Sequence, residues 1–243
     1  MKFFILSIYF FLIHKIFLKN TFDMTQTYTI LFDLDGTLVD TAPDLMRAHN
    51  HVMKKFGYPQ KSLEDIKHIA GRGAWIMMQR TFRDEIKDEK LKKEMVKEFI
   101  SFYAKNIDKG SKPIKGAVEF LKWAQSNKIL MGVCTNKQEK LAIDLLKKIN
   151  LAQYFEYIAG CDTFDFNKPD PRHLTNVVEI IGGDINKCIM VGDSEVDSQS
   201  AQNAKIPFIL VEEGYTEKNT NQIPHKTLIK NFLNFENIVK DYL

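Results

Sequence analysis

The sequence of 243 residues predicts an α/β protein: a doubly wound parallel sheet that carries an inserted, all-helical unit. Two observations lead to this fold class. Short apolar runs alternate with helical patterns along the second half of the chain, which is typical of right-handed βαβ units. A lone apolar strand precedes that half, and about 70 residues of purely helical pattern separate the two.

The first strand, residues 30–32, is an apolar run that leads into two aspartates, Asp33 and Asp35. Gly36 follows them and allows the backbone to turn sharply. In open α/β sheets, ligands bind outside the carboxyl ends of the strands, and these aspartates stand at such an end. A carboxylate pair attracts a hard cation, with Mg²⁺ favoured, while one carboxylate attacks an electrophile and the other moves protons. The alternative is that both aspartates are turn and cap residues.

The helical insertion begins after Asp40. Apolar residues at helical spacing predict a first helix over residues 42–56, with Thr41 as its N-cap. A second helix opens at Ser62 and is broken by the Gly-rich stretch 71–73. Further helices are predicted over residues 74–82 and 88–107. Together they indicate a small bundle beside the main domain.

Strands and helices then alternate to the end of the chain. The predicted strands are residues 129–134, 157–159, 188–191 and 207–211, and the predicted helices are 117–124, 137–149, 172–181, 195–204 and, at the tail, 231–242. This order implies one parallel sheet.

Three later strand ends also carry polar groups. Thr135 and Asn136 follow one strand, where a hydroxyl and helix N–H groups suit a phosphate oxygen. Lys168 lies in a proline-containing loop and can act as a point charge on phosphate. Asp193 ends another strand, with Asp197 one helical turn later, which suits one metal ligand and one supporting carboxylate. Capping or a solvated loop explains each group alone, but all four ends converge on one crevice.

Composition excludes several classes of protein. The formal net charge is +3, and the basic residues are not concentrated in a patch that would indicate nucleic acid binding. Cys134, Cys161 and Cys188 are far apart, which argues against a disulfide framework and a zinc site. These features favour a soluble enzyme of a reducing compartment, the cytoplasm.

Residues 1–23 form an apolar extension that we leave outside the fold. Its apolar run is too short to span a bilayer comfortably, and no small-residue cleavage site follows it. A translation start at Met24, a signal peptide and a membrane anchor are the alternatives. A start at Met24 is favoured, and a membrane partner follows only if residues 1–23 are translated.

These residues resemble the haloacid dehalogenase superfamily. Its four motifs occur in order, as Asp33-Leu34-Asp35-Gly36-Thr37, Thr135, Lys168 and Gly192-Asp193-Ser194-Glu195-Val196-Asp197. The resemblance implies a Rossmann-like core built from residues 24–40 and 112–243, with residues 41–111 as a mobile helical cap. Within the superfamily, the segments around Thr41, Asn136, Asp162 and Tyr215 are similar to those of phosphoglycolate phosphatases.

The resemblance implies a Mg²⁺-dependent phosphomonoester hydrolase with an aspartyl-phosphate intermediate, acting on 2-phosphoglycolate. Asp33 would be the nucleophile and Asp35 the acid and base. The metal would be held by Asp33, the Asp35 carbonyl and Asp193. Phosphate would be bound by Thr135, Asn136 and Lys168, with Asp197, Gly36 and Thr37 in support.

One residue departs from the family pattern. Arg72 stands between two glycines of the cap where a Gly-Asn-Gly-like turn is frequent, and either binds a substrate carboxylate or is solvated. Hydrolysis of another small phosphate ester or of pyrophosphate, a sugar phosphomutase of the β-phosphoglucomutase kind, and a phosphate-binding protein without turnover are the alternatives. The expected partner is a small phosphorylated metabolite, and the chain is expected to be a monomer or a homodimer.

Overall fold

The structure, a computed structural model, describes residues 27–71, 73–82, 86–216 and 218–242. The extension 1–23, Met24 and Arg72 therefore lie outside the described residues. Eight strands occur within them: β1 Thr29–Phe32, β2 Val39–Asp40, β3 Lys112–Pro113, β4 Leu130–Cys134, β5 Tyr157–Ala159, β6 Cys188–Gly192, β7 Phe208–Val211 and β8 Thr227–Ile229. Six of them form a parallel sheet in the order β5-β4-β1-β6-β7-β8, while β2 and β3 pair antiparallel.

Strand β1 lies at the centre of the large sheet. Thr29 is in register with Leu130 of β4 on one side and with Cys188 of β6 on the other. All four residues of β1 are fully buried, as expected for a parallel sheet covered on both faces. Ile30 and Leu31 belong to separate apolar clusters, because successive side chains of a strand point to opposite faces.

Helices cover both faces of the sheet. The described helices are α1 Ala42–Phe56, α2 Leu63–Ile69, α3 Ala74–Phe82, α4 Glu89–Asn106, α5 Ala117–Ser126, α6 Glu139–Lys148, α7 Arg172–Ile180, α8 Glu195–Ala204 and α9 Phe235–Val239. Helices α5, α6 and α9 contribute to the cluster that contains Ile30, and α7 and α8 to the cluster that contains Leu31. The three layers confirm the predicted doubly wound α/β fold.

Helices α1 to α4 stand between β2 and β3. Helix α1 packs along α4, where the ring of His51 stacks on Phe102 with centroids 4.0 Å apart. The predicted N-cap of α2 is confirmed, since Ser62 and Asp65 form a reciprocal capping box. Thr41 occupies the predicted N-cap position of α1, but its hydroxyl makes no capping hydrogen bond and donates to Asp35 instead.

The ends of the sheet differ from the sequence prediction. β2, β3 and β8 were not predicted, because strands of two or three residues carry no readable period. The helix predicted over residues 231–242 is confined to α9, since Asn234 takes the left-handed conformation directly before it. Across the described residues, no helix has the length and apolar character needed to cross a membrane.

Candidate active site

Polar side chains meet at the carboxyl ends of the central strands. Asp33 follows β1, Thr135 follows β4, Lys168 lies in the loop after β5, and Asp193 follows β6. Each of these side chains is buried. The backbone N–H of Asp33 donates to the carbonyl of Val191 at 2.9 Å, which continues the sheet to the site. The structure therefore brings together the four strand ends that the sequence singled out.

Lys168 joins two of the carboxylates. Its Nζ donates to Oδ1 of Asp33 at 2.7 Å and to Oδ1 of Asp197 at 2.6 Å. Burial opposes the charge on Lys168, but the neighbouring Asp197 and Asp33 outweigh it and hold its pKa above the ordinary value. The ammonium group therefore stays charged and fixes both carboxylates.

The cluster still carries more negative charge than Lys168 balances. Oxygens of Asp33, Asp193 and Asp197 all lie within 4.8 Å of one another. Burial raises the pKa of Asp33 to about 6 against the opposing effect of Lys168. Burial, then Asp33 and Asp197, raise the pKa of Asp193 well above its usual range. Such a group of buried carboxylate oxygens has the donor chemistry that a hard cation prefers.

The carboxylates of Asp193 and Asp197 differ in their hydrogen-bond partners. Asp193 accepts from Oγ1 of Thr37 at 2.8 Å and from the backbone N–H of Tyr215 at 2.5 Å. Asp197 uses Oδ1 for Lys168, and its Oδ2 accepts from the hydroxyl of Ser194 at 2.6 Å, where it completes the capping box of α8. Because both oxygens of Asp197 are engaged, this residue positions Lys168.

Asp35 faces the helical insertion rather than Lys168. Lys137 donates to both of its carboxylate oxygens, at 2.6 and 2.7 Å, and the Thr41 hydroxyl donates at 2.7 Å. Sequence reasoning gave no separate role to Lys137. Its position directly after Thr135 and Asn136 was the available signal, but a lysine before a helix is common on any surface.

Thr135 and Asn136 occupy the loop between β4 and α6. Oγ1 of Thr135 accepts from the backbone N–H of Lys137 at 3.2 Å, which leaves its own proton available to an acceptor. Nδ2 of Asn136 donates to the backbone carbonyl of Lys168 at 3.1 Å. Oδ1 of Asn136 is buried and has no hydrogen-bond partner within the described residues. Asn136 thus supports the loop that carries Lys168.

Comparison with known proteins agrees with this geometry. The model of the haloacid dehalogenase-like hydrolase family matches residues 30–211. The chain belongs to this family. A phosphoglycolate phosphatase of Agrobacterium fabrum is 40% identical over 204 residues, which cover 83% of this chain and 88% of that protein. One from Caulobacter vibrioides is 38% identical over 207 residues, covering 84% and 87%.

The fold of this haloacid dehalogenase-like hydrolase is also found among solved structures. The crystal structure of a predicted phosphoglycolate phosphatase from Haemophilus somnus superposes with a TM-score of 0.83 at 26% identity. The match covers 89% of this chain and 99% of that one. The superfamily predicted from the motifs is confirmed, and the chain is an enzyme of the phosphatase kind.

Tyr215 is a second residue of this hydrolase whose place sequence reasoning missed. Its hydroxyl donates to Oδ1 of Asp40 at 2.5 Å and accepts from the backbone N–H of Ala42 at 2.7 Å. Its own N–H binds Asp193. Tyr215 therefore links the carboxylate cluster to the segment where the chain leaves the sheet for the helical insertion. The only indication of its importance in the sequence was that Tyr215 lies in one of the segments that resemble phosphoglycolate phosphatases.

Two glycines of the helical insertion allow its backbone to approach the backbone of the site closely. A side chain on Gly73 would place its Cβ 2.7 Å from the carbonyl oxygen of Asn136, and one on Gly71 would lie 3.1 Å from that of Tyr215. Gly36 has φ +83°, and a Cβ there would collide with the Asp193 carboxylate. The predicted substrate residue Arg72 lies outside the described residues.

Proposed function

We propose that this enzyme hydrolyses 2-phosphoglycolate to glycolate and phosphate, using Mg²⁺ and a covalent phosphate on Asp33. The observation that carries the chemistry is the contact of a buried lysine, Lys168, with a buried carboxylate, Asp33, beside the further carboxylate of Asp193. The relatives named phosphoglycolate phosphatase support the substrate. Asp33, Asp35, Thr135, Lys168 and Asp193 keep their predicted roles in this proposal.

The residues fit a magnesium ion. The donor set is made of carboxylate oxygens, which this hard cation prefers. The raised pKa values of Asp33 and Asp193 show that burial disfavours their ionised forms, and a bound cation would offset that cost. Asp33, the backbone carbonyl of Asp35 and Asp193 would hold it. When bound, the ion neutralises the attacking carboxylate and the phosphoryl group, which otherwise repel each other.

Asp33 is suited to be the nucleophile. Lys168 holds its Oδ1, and among the described residues no donor binds its Oδ2, so that oxygen is left to attack phosphorus. The new bond joins Oδ2 to phosphorus, and the bond from phosphorus to the leaving oxygen breaks. Water then attacks phosphorus and releases Asp33 together with inorganic phosphate.

Asp35 is suited to move the protons. It donates one to the departing alkoxide and later accepts one from the attacking water, which returns it to its starting state. Thr41 and Lys137 fix the orientation of its carboxylate. The hydroxyl of Thr135 and the ammonium group of Lys168 bind phosphate oxygens, where positioned charge lowers the barrier most.

We further propose that residues 41–111 act as a cap over the core formed by residues 24–40 and 112–243. The cap closes over Asp35, excludes bulk water and senses the leaving group. Cys134, Cys161 and Cys188 are all unpaired thiols, which supports a reducing, cytoplasmic location.

The test is release of inorganic phosphate from a panel of esters with Mg²⁺. The panel contains 2-phosphoglycolate, sugar phosphates and pyrophosphate. Asp33→Asn removes the nucleophile, and we expect its rate to fall by a factor on the order of 10⁴ or more. The matched control Asp144→Asn, on the exposed surface of α6, keeps the wild-type rate.

Mass spectrometry of acid-quenched enzyme should find phosphate on the peptide that contains Asp33. Preference for 2-phosphoglycolate, lost in Asp33→Asn, supports both chemistry and substrate. Broad turnover lost in the same variant retains the chemistry and removes the substrate. A phosphorylated product instead of free phosphate would indicate a mutase. Release that survives Asp33→Asn contradicts the proposal.

A further inference from the structure

Tyr215 lies in the loop that follows β7, where the core meets the helical insertion. Its side chain is buried. A cleft of about 340 Å³ opens beside it, between α2 of the insertion and this loop. Because the two surfaces leave this space between them, they are not packed tightly here. The contacts of Tyr215 therefore connect two parts of the chain that are otherwise loosely joined at this place.

The hydroxyl of Tyr215 holds the start of α1. The first N–H groups of a helix have no acceptor within the helix, and Thr41, in the N-cap position, does not supply one through its side chain. The hydroxyl of Tyr215 accepts from the N–H of Ala42 at 2.7 Å and donates to Oδ1 of Asp40 at 2.5 Å. One hydroxyl group thus fixes the chain on both sides of Thr41, at the point where it enters the insertion.

The rest of Tyr215 contacts the carboxylate cluster and a second segment of the insertion. Its backbone N–H donates to Oδ2 of Asp193 at 2.5 Å. A Cβ added to Gly36 would lie 2.9 Å from Cγ of the Tyr215 ring, so the ring packs directly on the turn that contains Gly36. A Cβ added to Gly71 would lie 3.1 Å from the carbonyl oxygen of Tyr215. A displacement of Tyr215 would therefore disturb Asp193 and the insertion together.

We infer that Tyr215 is a positioning residue that couples Asp193 to the start of the insertion, so that Mg²⁺ bound at Asp193 restrains residues 40–42. The inference rests on the proposed function, in which Asp193 is a metal ligand and residues 41–111 are a cap. Groups that hydrogen-bond to a metal ligand orient it and tune its affinity for the ion. The coupling is reciprocal: if the ion restrains residues 40–42, then intact contacts at residues 40–42 tighten binding of the ion.

The first test measures binding of Mg²⁺ alone, without substrate, by isothermal titration calorimetry. Tyr215→Phe deletes the hydroxyl that binds residues 40 and 42 but keeps the ring and the N–H that binds Asp193. We expect this variant to raise the Kd for Mg²⁺ roughly tenfold. Tyr242→Phe is the matched control, because it also loses a hydrogen-bonded hydroxyl, the one that contacts Thr227, and it should keep the wild-type Kd.

The second test measures amide hydrogen exchange over residues 40–45 by mass spectrometry, with and without Mg²⁺. In the wild type we expect Mg²⁺ to slow exchange in this segment, which contains the N–H of Ala42 that Tyr215 accepts. In Tyr215→Phe we expect fast exchange that Mg²⁺ does not change. A merely structural role of the hydroxyl would speed exchange in the variant but leave the effect of Mg²⁺ in place.

The outcomes separate this inference from the proposed function. If Mg²⁺ binds the wild type without slowing exchange over residues 40–45, the inference is overturned while the metal site stands, and this result does not depend on how the variant folds. An unchanged Kd in Tyr215→Phe, or slowing by Mg²⁺ that this variant retains, also overturns it. A wild type that binds no Mg²⁺ contradicts the proposed metal site and the inference with it.

Discussion

Lys168 shows how one residue makes a costly arrangement of charges stable. Asp33 and Asp197 are both buried, and the ammonium group lies within hydrogen-bond distance of each. Removing one partner of a buried ion pair lowers the free energy of unfolding by far more than the intact pair adds to it. The reason is that an uncompensated charge then stays in a low-dielectric interior. At the scale of single residues, the site is therefore sensitive to loss of this cation.

We expect Lys168→Met to lower the free energy of unfolding by about 3–5 kcal/mol at pH 7, because two buried carboxylates lose their partner. Urea denaturation of the metal-free protein measures this change. Lys140→Met is the control, since Lys140 is largely exposed and pairs with Asp144 at the surface of α6, where little change is expected. An equally small change in Lys168→Met would contradict the structure of the site.

His173 of α7 gives the protein a sensitivity to acid. Its Nε2 donates to the carbonyl oxygen of Gly160 at 3.0 Å, and burial lowers its pKa to about 4. Below pH 6.5 the unfolded chain takes up a proton that the folded protein refuses, so stability present above pH 6.5 is lost as the pH falls towards 4. The loss from this group is about 3 kcal/mol.

Urea denaturation between pH 4 and pH 7 tests this effect. His173→Gln keeps a donor for Gly160 but does not titrate, so we expect its stability to depend less steeply on pH over this interval. Parallel pH profiles for the variant and the wild type would show that His173 is not responsible.

At the scale of elements, Asp44 ties together the two connections between the sheet and the helical insertion. It lies in the first turn of α1, and its Oδ2 accepts from the N–H of Gly110, the N–H of Ser111 and the hydroxyl of Ser111 at 2.8–2.9 Å. Its Oδ1 binds Arg47. The chain entering the insertion is thus fastened to the chain leaving it.

We expect Asp44→Ala to destabilise the protein by about 2–4 kcal/mol, because backbone N–H groups at residues 110 and 111 lose their acceptor. Asp44→Asn keeps one acceptor oxygen and should cost less. Thermal and urea unfolding of the two variants provides the comparison. An Asp44→Ala protein as stable as wild type would mean that these hydrogen bonds are replaced by water at no cost.

How far the sequence predicted these elements depends on the length of each pattern. α1 and α4 span 15 and 18 residues, long enough for apolar spacing to be read. The two residues of β2 and of β3 show no period. The polar residues at the strand ends could be predicted to lie close together because the carboxyl ends of parallel strands meet at one edge of the sheet. The contacts of Asp35 with Lys137, and of Asp193 with Tyr215, join residues far apart in the chain and had no local signal.

At the scale of the whole molecule, the carboxylate cluster links metal binding to folding. A cation that binds only the folded protein stabilises it by about 2.7 kcal/mol at a concentration 100 times its Kd. We therefore expect Mg²⁺ to raise Tm by several degrees, and EDTA to reverse the change. Differential scanning calorimetry measures both.

Asp193→Asn separates this effect from general stabilisation by salt. We expect the variant to lose the Mg²⁺-dependent rise in Tm while its metal-free form stays as stable as wild type, since one buried negative charge is removed. Asp144→Asn should keep the full rise. A Tm that Mg²⁺ does not change in the wild type would contradict the proposed metal site.

The central place of β1 has a consequence for how the chain is made. Thr29 must pair with Leu130 and Cys188, both far later in the sequence, whereas α1 to α4 contact one another within the intervening segment. During synthesis from the N-terminus, these helices can fold while β1 still lacks both neighbours. We expect the apolar residues 30–32 to remain uncovered on the ribosome until β6 has emerged, which makes this strand the part of the nascent chain most exposed to aggregation and to chaperones.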